Sequence, residues 1–203
     1  MIVKNCMTSN PVTVIPEEDV KNTSHLLQKY RIRQTPVVKD GRLVGIVTDR
    51  DLRMALIRPN LTVGDVMSSS PVTVIEDAPV EEAARIICNR KFNALPVVSK
   101  TGELVGIITV TDILDNLINL LGFHEEPFRV EVKISEGVNL YDVIKVLQGN
   151  TEKVVSFSLS RERGVTFYFW VIGCDFDKLD RKLQEKKLDV AVNYPEGLTK
   201  LAQ

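Results

Sequence analysis

Long apolar runs are missing from this 203-residue chain, and no stretch approaches the roughly 20 apolar residues that a membrane-spanning helix needs. The opening Met1-Ile2-Val3-Lys4-Asn5-Cys6 is too short an apolar segment for a secretory signal, so the expectation is a cytoplasmic protein with no membrane partner. Charge of one sign is also missing. The 26 basic and 27 acidic side chains leave a net charge of -1, with no long basic run to attract nucleic acid. Cys6, Cys88 and Cys174 are scattered without a C-x-x-C pair and read as free thiols. His25 and His124 stand alone, which offers no metal site. Catalytic signatures are equally scarce: there is no G-x-S-x-G elbow, no P-loop ending in G-K-[ST] and no H-E-x-x-H. These absences argue against an enzyme.

What is present is a repeat. Met7, Pro11, Val12, Thr13, Val14 and Ile15 recur as Met67, Pro71, Val72, Thr73, Val74 and Ile75, and Pro36-Val37-Val38 recurs as Pro96-Val97-Val98. After one extra residue in a turn, Gly45-Ile46-Val47-Thr48-Asp49-Arg50-Asp51 matches Gly106-Ile107-Ile108-Thr109-Val110-Thr111-Asp112. Each copy reads as short strand, helix, strand, tight turn, strand, helix. Val20, Leu27 and Tyr30 mark one helical face in the first copy, and Val80, Ala83, Ala84 and Ile87 mark it in the second. A unit of about 60 residues buries too little surface to stand comfortably alone, so the copies should pack as a pair. The cleft between them is then a natural ligand site.

Both copies carry the form G-h-h-T-x-x-D where a strand runs into a helix. A threonine followed three positions later by an acid suits a helix N-cap, because the hydroxyl accepts an orphan amide proton and the carboxylate opposes the helix dipole. The same carboxylate can accept the hydroxyls of a ribose diol, and the threonine hydroxyl and helix-start amides can hold sugar or phosphate oxygens. The apolar strands at Pro36-Val37-Val38 and Pro96-Val97-Val98 suit the faces of a flat purine. Arg31, Arg33, Arg50 and Lys91 are the nearest cations for phosphate, and each is equally well explained as solvated surface charge.

These motifs make residues 1 to about 121 resemble a pair of CBS domains, through M-T-x-x-P-V-T-V (Met7 to Val14), R-I-R-x-x-P-V-V (Arg31 to Val38) and G-I-V-T-x-x-D (Gly45 to Asp51). The resemblance implies AMP, ADP, ATP or a related adenosyl ligand, bound as a regulator with no cofactor required. It places Thr48, Asp51, Thr109 and Asp112 on the sugar. Thr35, Pro36, Val37, Gly45, Ile46, Leu95, Pro96, Val97, Gly106 and Ile107 then line the rest of the two clefts. It also implies a homodimer formed through the CBS helices and a regulated protein of unknown identity. Arg50, Arg53 and Arg33 align with Thr111, Leu114 and Asn93, so the clefts should differ in phosphate affinity.

The helix after Asp112 keeps an apolar face, is expected to pack into a core, and should end at Gly122. Beyond a linker at 122–127 the period shortens to two: Phe128, Val130, Val132 and Ile134 alternate with charged residues. Leu140, Val143, Ile144 and Leu147 then predict a helix. Strands follow at Val155 to Leu159 and Val165 to Ile172, joined by a turn at Arg161-Glu162-Arg163-Gly164. A helix marked by Phe176, Leu179 and Leu183 and a last strand at Asp189 to Val192 complete a βαββαβ ferredoxin-like order. The third of these strands places Tyr168, Trp170 and Ile172 opposite Phe167, Phe169 and Val171, so its second face should meet another surface. This region resembles an ACT domain, through Ile134-Ser135-Glu136-Gly137-Val138-Asn139-Leu140. By that resemblance Gly137, Val138 and Asn139 form an effector loop for an amino acid; a glycine turn that starts a helix explains the same residues. The whole arrangement resembles the acetoin utilisation proteins of the AcuB type.

The expected organisation is therefore mixed α/β. Residues 1–60 and 61–121 form two βαββα CBS repeats packed as a pair, and 128–203 form the ACT-like domain. The expected function is non-catalytic nucleotide sensing. The alternative is an amino-acid sensor in which the CBS pair is a dimer scaffold.

Overall fold

The computed structural model describes residues 1–58, 60–122, 128–133, 139–160, 165–185 and 192–193. The chain divides into two compact units, Met1–Asn116 and Leu117–Gln203. Among the described residues no helix is long and apolar enough to cross a membrane.

The first unit opens with a single 3-10 turn at Val3–Asn5 and runs through β1 (Thr8–Ser9), α1 (Val20–Tyr30), β2 (Gln34–Lys39), β3 (Arg42–Thr48), α2 (Asp49–Ala55), α3 (Val63–Val66), β4 (Ser68–Ser69), β5 (Val74–Ile75), α4 (Val80–Arg90), β6 (Ala94–Val98) and β7 (Leu104–Thr109). α5 (Val110–Leu121) follows and runs on into the second unit. Local chemistry sets the boundaries. Asp19 caps α1 by accepting from the amides of Lys21 and Asn22 at 2.8 and 3.0 Å. α1 and α4 both end on a left-handed residue, Arg31 and Lys91, whose amides reach back to the last helical carbonyls. The hairpins β2–β3 and β6–β7 carry the same register shift, at Val37/Val38 and at Val97/Val98, so the sequence repeat is a repeat of backbone detail too.

The copies exchange their leading segments. β1 pairs with β7 of the second copy, and β4 pairs with β3 of the first. Val3 and Cys6 lie in the core of the second copy with Val74, Val80, Ala83, Ile87, Leu95, Val97 and Ile108. Val63 lies in the core of the first with Val14, Val20, Leu27, Val37, Val47, Leu52 and Ala55. Backbone bonds fasten both ends: the Val3 and Lys4 amides donate to Ala78 and Glu76, and the Val63 and Gly64 amides donate to Glu18 and Pro16. Neither copy has a complete core without the opening segment of the other.

Two helical expectations need correction. Tyr30 does not share the buried face of Val20 and Leu27; it is 51% exposed, and Thr23 and Ser24 take the intervening buried positions. α5 does stop at Gly122, where φ is +68°, but none of its residues is buried. Ile113 packs half-buried against the core of the second copy, while Leu114 and Leu120 stay 51% and 66% exposed, so the helix meets the core without being enclosed by it.

The second unit contains β8 (Phe128–Lys133), α6 (Leu140–Asn150), β9 (Thr151–Ser160), β10 (Thr166–Cys174), α7 (Phe176–Glu185) and β11 (Val192–Asn193). Its sheet has the order β11-β8-β10-β9 with every neighbouring pair antiparallel, which is the ferredoxin-like arrangement of a βαββαβ chain. Both helices cover one face: Val143, Val146 and Leu147 of α6 and Leu179 and Leu183 of α7 pack on Val130, Val132, Phe169 and Val171. Tyr168, Trp170 and Ile172 on the opposite face are half-buried. Part of the cover is local, since Arg129 lies over the Tyr168 ring at 5.6 Å and pairs with Glu131 at 2.8 Å. The Ser156 hydroxyl on the same face donates to the carbonyl of Leu121 at 3.0 Å, which ties down the end of α5. The linker beyond Gly122, the turn at 161–164, the first part of the last strand, and Gly137 and Val138 lie outside the described residues.

Candidate functional site

In each copy an antiparallel hairpin delivers a threonine to the position just before a helix. Thr48 ends β3 and caps α2; its hydroxyl accepts from the Asp51 amide at 3.2 Å. Asp51 Oδ2 accepts in return from the Thr48 amide at 3.0 Å and from the Thr48 hydroxyl at 2.6 Å. The second copy repeats the box: Thr109 donates to Asp112 Oδ2 through its amide at 2.8 Å and its hydroxyl at 2.9 Å, and accepts from the Asp112 amide at 3.1 Å. All four residues are half-buried, so solvent reaches them. Within the described residues Oδ1 of each aspartate has no hydrogen-bond partner. One oxygen of each acid therefore holds the helix start while the other is available to a hydroxyl donor.

Strand register sorts the remaining expected residues. Gln34 pairs with Thr48 and Pro36 with Ile46, while Thr35 pairs with Val47 and Val37 with Gly45. The second set faces the core: Thr35, Val37 and Val47 are 0% exposed, and the Thr35 hydroxyl donates to the Val12 carbonyl at 2.6 Å. In the second copy Leu95 and Val97 face the core in the same way, and Pro96 and Ile107 share the Thr109 face. By register Pro36 and Ile46 are the side chains on the Thr48 side, and Pro96 and Ile107 those on the Thr109 side; Pro36, Pro96 and Ile107 are themselves buried and Ile46 is half-buried. Thr35, Val37, Leu95 and Val97 can offer a ligand only their backbone.

Gly45 and Gly106 are buried, and the reason is close packing. A methyl group built on Gly45 would overlap the sulfur of Met67 and stand 3.0 Å from its Cγ. One built on Gly106 would overlap the sulfur of Met7 and again stand 3.0 Å from Cγ. Composition and spacing alone gave no sign of this contact.

Arg31, Arg33, Arg50 and Lys91 are all exposed. Arg31 and Arg33 share the wall of a cavity of about 310 Å³ with Gln28, Asp49 and Arg53. Arg53 is engaged there with Asp49 at 3.3 Å. A larger cavity of about 540 Å³ opens between α1 and the β2–β3 turn, lined by Thr13, Glu18, Asn22 and Asp40 among others. Neither cavity has Thr48, Asp51, Thr109 or Asp112 in its wall. In the second unit Asn139 caps α6, its Oδ1 accepting from the Tyr141 amide at 2.9 Å. Burial holds the thiols of Cys6 and Cys174 above the ordinary cysteine range, which keeps both protonated and weakly nucleophilic at neutral pH.

Comparison with known proteins agrees with this geometry. The model of the CBS domain family matches residues 3–58 and 63–119. Inosine-5'-monophosphate dehydrogenase of Korarchaeum cryptofilum is 36% identical over 121 residues, which is 60% of this chain and 25% of that enzyme. The likeness thus spans about a quarter of the enzyme's length. Among solved structures, an acetoin utilization protein, AcuB, from Vibrio cholerae is 34% identical over 62% of this chain and 96% of its own, with a TM-score of 0.56. CBSX2, a protein of Arabidopsis thaliana, was solved in complex with AMP; it is 32% identical over 58% of this chain and 96% of its own, with a TM-score of 0.54.

Proposed function

Because the chain belongs to the CBS domain family, we propose that it is a regulatory protein without catalysis of its own, which senses an adenine nucleotide in the clefts of the CBS pair. AMP, ADP, ATP and related adenosyl compounds are the ligand class. The observation that carries the reading is the pair of half-buried aspartates, each with Oδ2 committed to its threonine and Oδ1 without a hydrogen-bond partner among the described residues. Oδ1 of Asp51 and of Asp112 accepts from the ribose hydroxyls. Pro36 with Ile46, and Pro96 with Ile107, pack against the base. Arg31, Arg33 and Arg50 supply the first copy with phosphate partners that Lys91 alone represents in the second. AMP bound to CBSX2 supports the ligand class. The ligand acts by favouring one of two arrangements of a cytoplasmic homodimer, which a partner protein or the second unit reads. The likeness to AcuB suggests acetoin metabolism as the setting.

Calorimetric titration with AMP, ADP, ATP and S-adenosylmethionine tests the proposal. Asp51→Asn preserves the capping oxygen and removes the charge, so helix content should hold while affinity at that cleft falls. A hydrogen bond to a charged group contributes about 1.5–3 kcal/mol, which corresponds to roughly a ten- to hundred-fold loss. Absence of binding by the wild-type chain at millimolar nucleotide would defeat the reading. The amino-acid alternative draws on the ferredoxin-like sheet order and predicts effector binding that disappears when residues 124–203 are removed, whereas nucleotide binding survives that truncation.

A further inference from the structure

Each methionine that opens a Pro-Val-Thr-Val segment packs on the other copy. Met67 stands near the start of the second copy yet lies against the core of the first, with its thioether filling the place of the absent Gly45 side chain. Met7 stands near the start of the first copy and occupies the same place at Gly106 in the second. Each glycine stands three residues before the threonine of a capping box. Gly45 shares the core-facing side of the β2–β3 hairpin with Val37 and Val47, whereas Thr48 is on the other side. The sulfur thus backs the strand whose front presents the ligand groups.

We infer that Met7 and Met67 are positioning residues that act across the pair: Met67 sets the strand that serves the cleft of Asp51, and Met7 sets the strand that serves the cleft of Asp112. The inference rests on the nucleotide reading above. Three observations carry it. The three atoms nearest a methyl built on Gly45 all belong to Met67 and Ser68, and those nearest one on Gly106 all belong to Met7 and Thr8. Among the described residues no other group approaches the strand as closely at that point. The exchanged strands are only two residues long, with Ser69 opposite Gly45 and Ser9 opposite Gly106, so their backbone ladder alone fixes the strand weakly. Binding groups need placement within about 0.5 Å, and a glycine without its thioether wedge leaves the strand free to relax toward the core by more than that.

The test uses the full chain and AMP as probe, in two backgrounds that each leave one cleft working. With Asp112→Ala only the Asp51 cleft remains, and with Asp51→Ala only the Asp112 cleft. Met67→Ala should weaken AMP by about five-fold or more in the first background and by under about two-fold in the second. Met7→Ala should do the reverse. Met67→Leu and Met7→Leu, which nearly conserve volume, should restore affinity. Gly45→Ala displaces the Met67 sulfur and should weaken AMP only at the Asp51 cleft, and Gly106→Ala displaces the Met7 sulfur and should weaken it only at the Asp112 cleft, which guards against a misfolded methionine variant. Equal losses in both backgrounds, or methionine losses confined to the copy that carries the methionine, would overturn the inference and leave nucleotide sensing standing. Should the single-cleft chains bind no AMP while the wild type does, the clefts act only together and the crossed assignment fails. A wild-type chain that binds no AMP removes the nucleotide reading itself, and this inference with it.

Discussion

Among the described residues three threonine–aspartate pairs share one contact, a carboxylate that holds the threonine before it, and they divide by what surrounds them. At the start of α3 the Thr62 amide and hydroxyl donate to Asp65 Oδ2 at 2.8 and 2.9 Å, as in the other two pairs, but the Asp65 amide donates to the Thr62 carbonyl at 3.2 Å where those of Asp51 and Asp112 reach the threonine hydroxyl. The backbone amide of Thr62, and then its hydroxyl, hold the Asp65 carboxyl below the ordinary carboxylate range. A folded-state value below the unfolded one means that the box stabilises above the unfolded pKa of about 3.9 and loses that contribution as pH falls through the lower folded value. Asp65→Asn should therefore flatten the acid-side loss of stability. Urea midpoints of variant and wild type should converge as pH drops below about 4, and parallel midpoints from pH 5 to pH 3 would refute the assignment. Spacing made the boxes of Asp51 and Asp112 legible in the sequence, but T-x-x-D by itself also writes a plain cap. The preceding G-h-h separates them, because it places the threonine at the end of a strand in a buried hairpin, where Thr62 has no such strand. The methionine behind each glycine was beyond reach, since nothing in a sequence says which distant side chain fills a missing one.

At the scale of the element, α1 and α4 show how hydroxyls disguise a helical period. Val20, Thr23, Ser24 and Leu27 are the buried positions of α1, and the matching stripe of α4 is Val80, Ala83, half-buried Ala84 and Ile87. Alanines let the second stripe be read in full, whereas Thr23 and Ser24 concealed the first and brought exposed Tyr30 into it. Thr23 is 0% exposed and its Oγ1 lacks a hydrogen-bond partner among the described residues. A buried polar atom without a partner costs about 1–3 kcal/mol, and valine keeps the shape while removing the cost. Thr23→Val should raise the urea midpoint of the first unit, by a stability gain on the order of 1 kcal/mol. A lower midpoint would mean that the hydroxyl is satisfied in solution. The exchange of β1 and β4 between copies was illegible for a related reason. Two-residue strands have no period, and a repeat shows which segments are alike without showing which sheet each one joins.

At the scale of the whole molecule, α5 presents a recurring row of exposed leucines. Leu114, Leu117 and Leu120 recur every three residues along it and are 51%, 46% and 66% exposed. Near the end of α2, Met54 and Ile57 are 70% and 86% exposed. Single exposed apolar residues are ordinary on a protein surface, but a recurring stripe on one helix marks a surface that another body covers. Asp115, Asn116 and Asn119 interleave with it, a pattern that excludes burial in a lipid core and suits a helix laid against a protein partner. A second copy of the chain supplies such a partner without a further component, and a two-fold contact matches the stripe with itself. The dimer predicted here buries α5 against its counterpart. Leu114→Glu combined with Leu117→Glu should therefore yield a folded monomer, because both positions face solvent within one chain and tolerate charge there. Sedimentation velocity distinguishes the outcomes. A wild-type dimer that becomes monomeric with unchanged circular dichroism places the interface on α5, and a variant that stays dimeric moves it elsewhere. The same variant then links assembly to sensing. If nucleotide shifts the arrangement of the dimer, the monomer should bind AMP with a single intrinsic affinity that no longer depends on protein concentration.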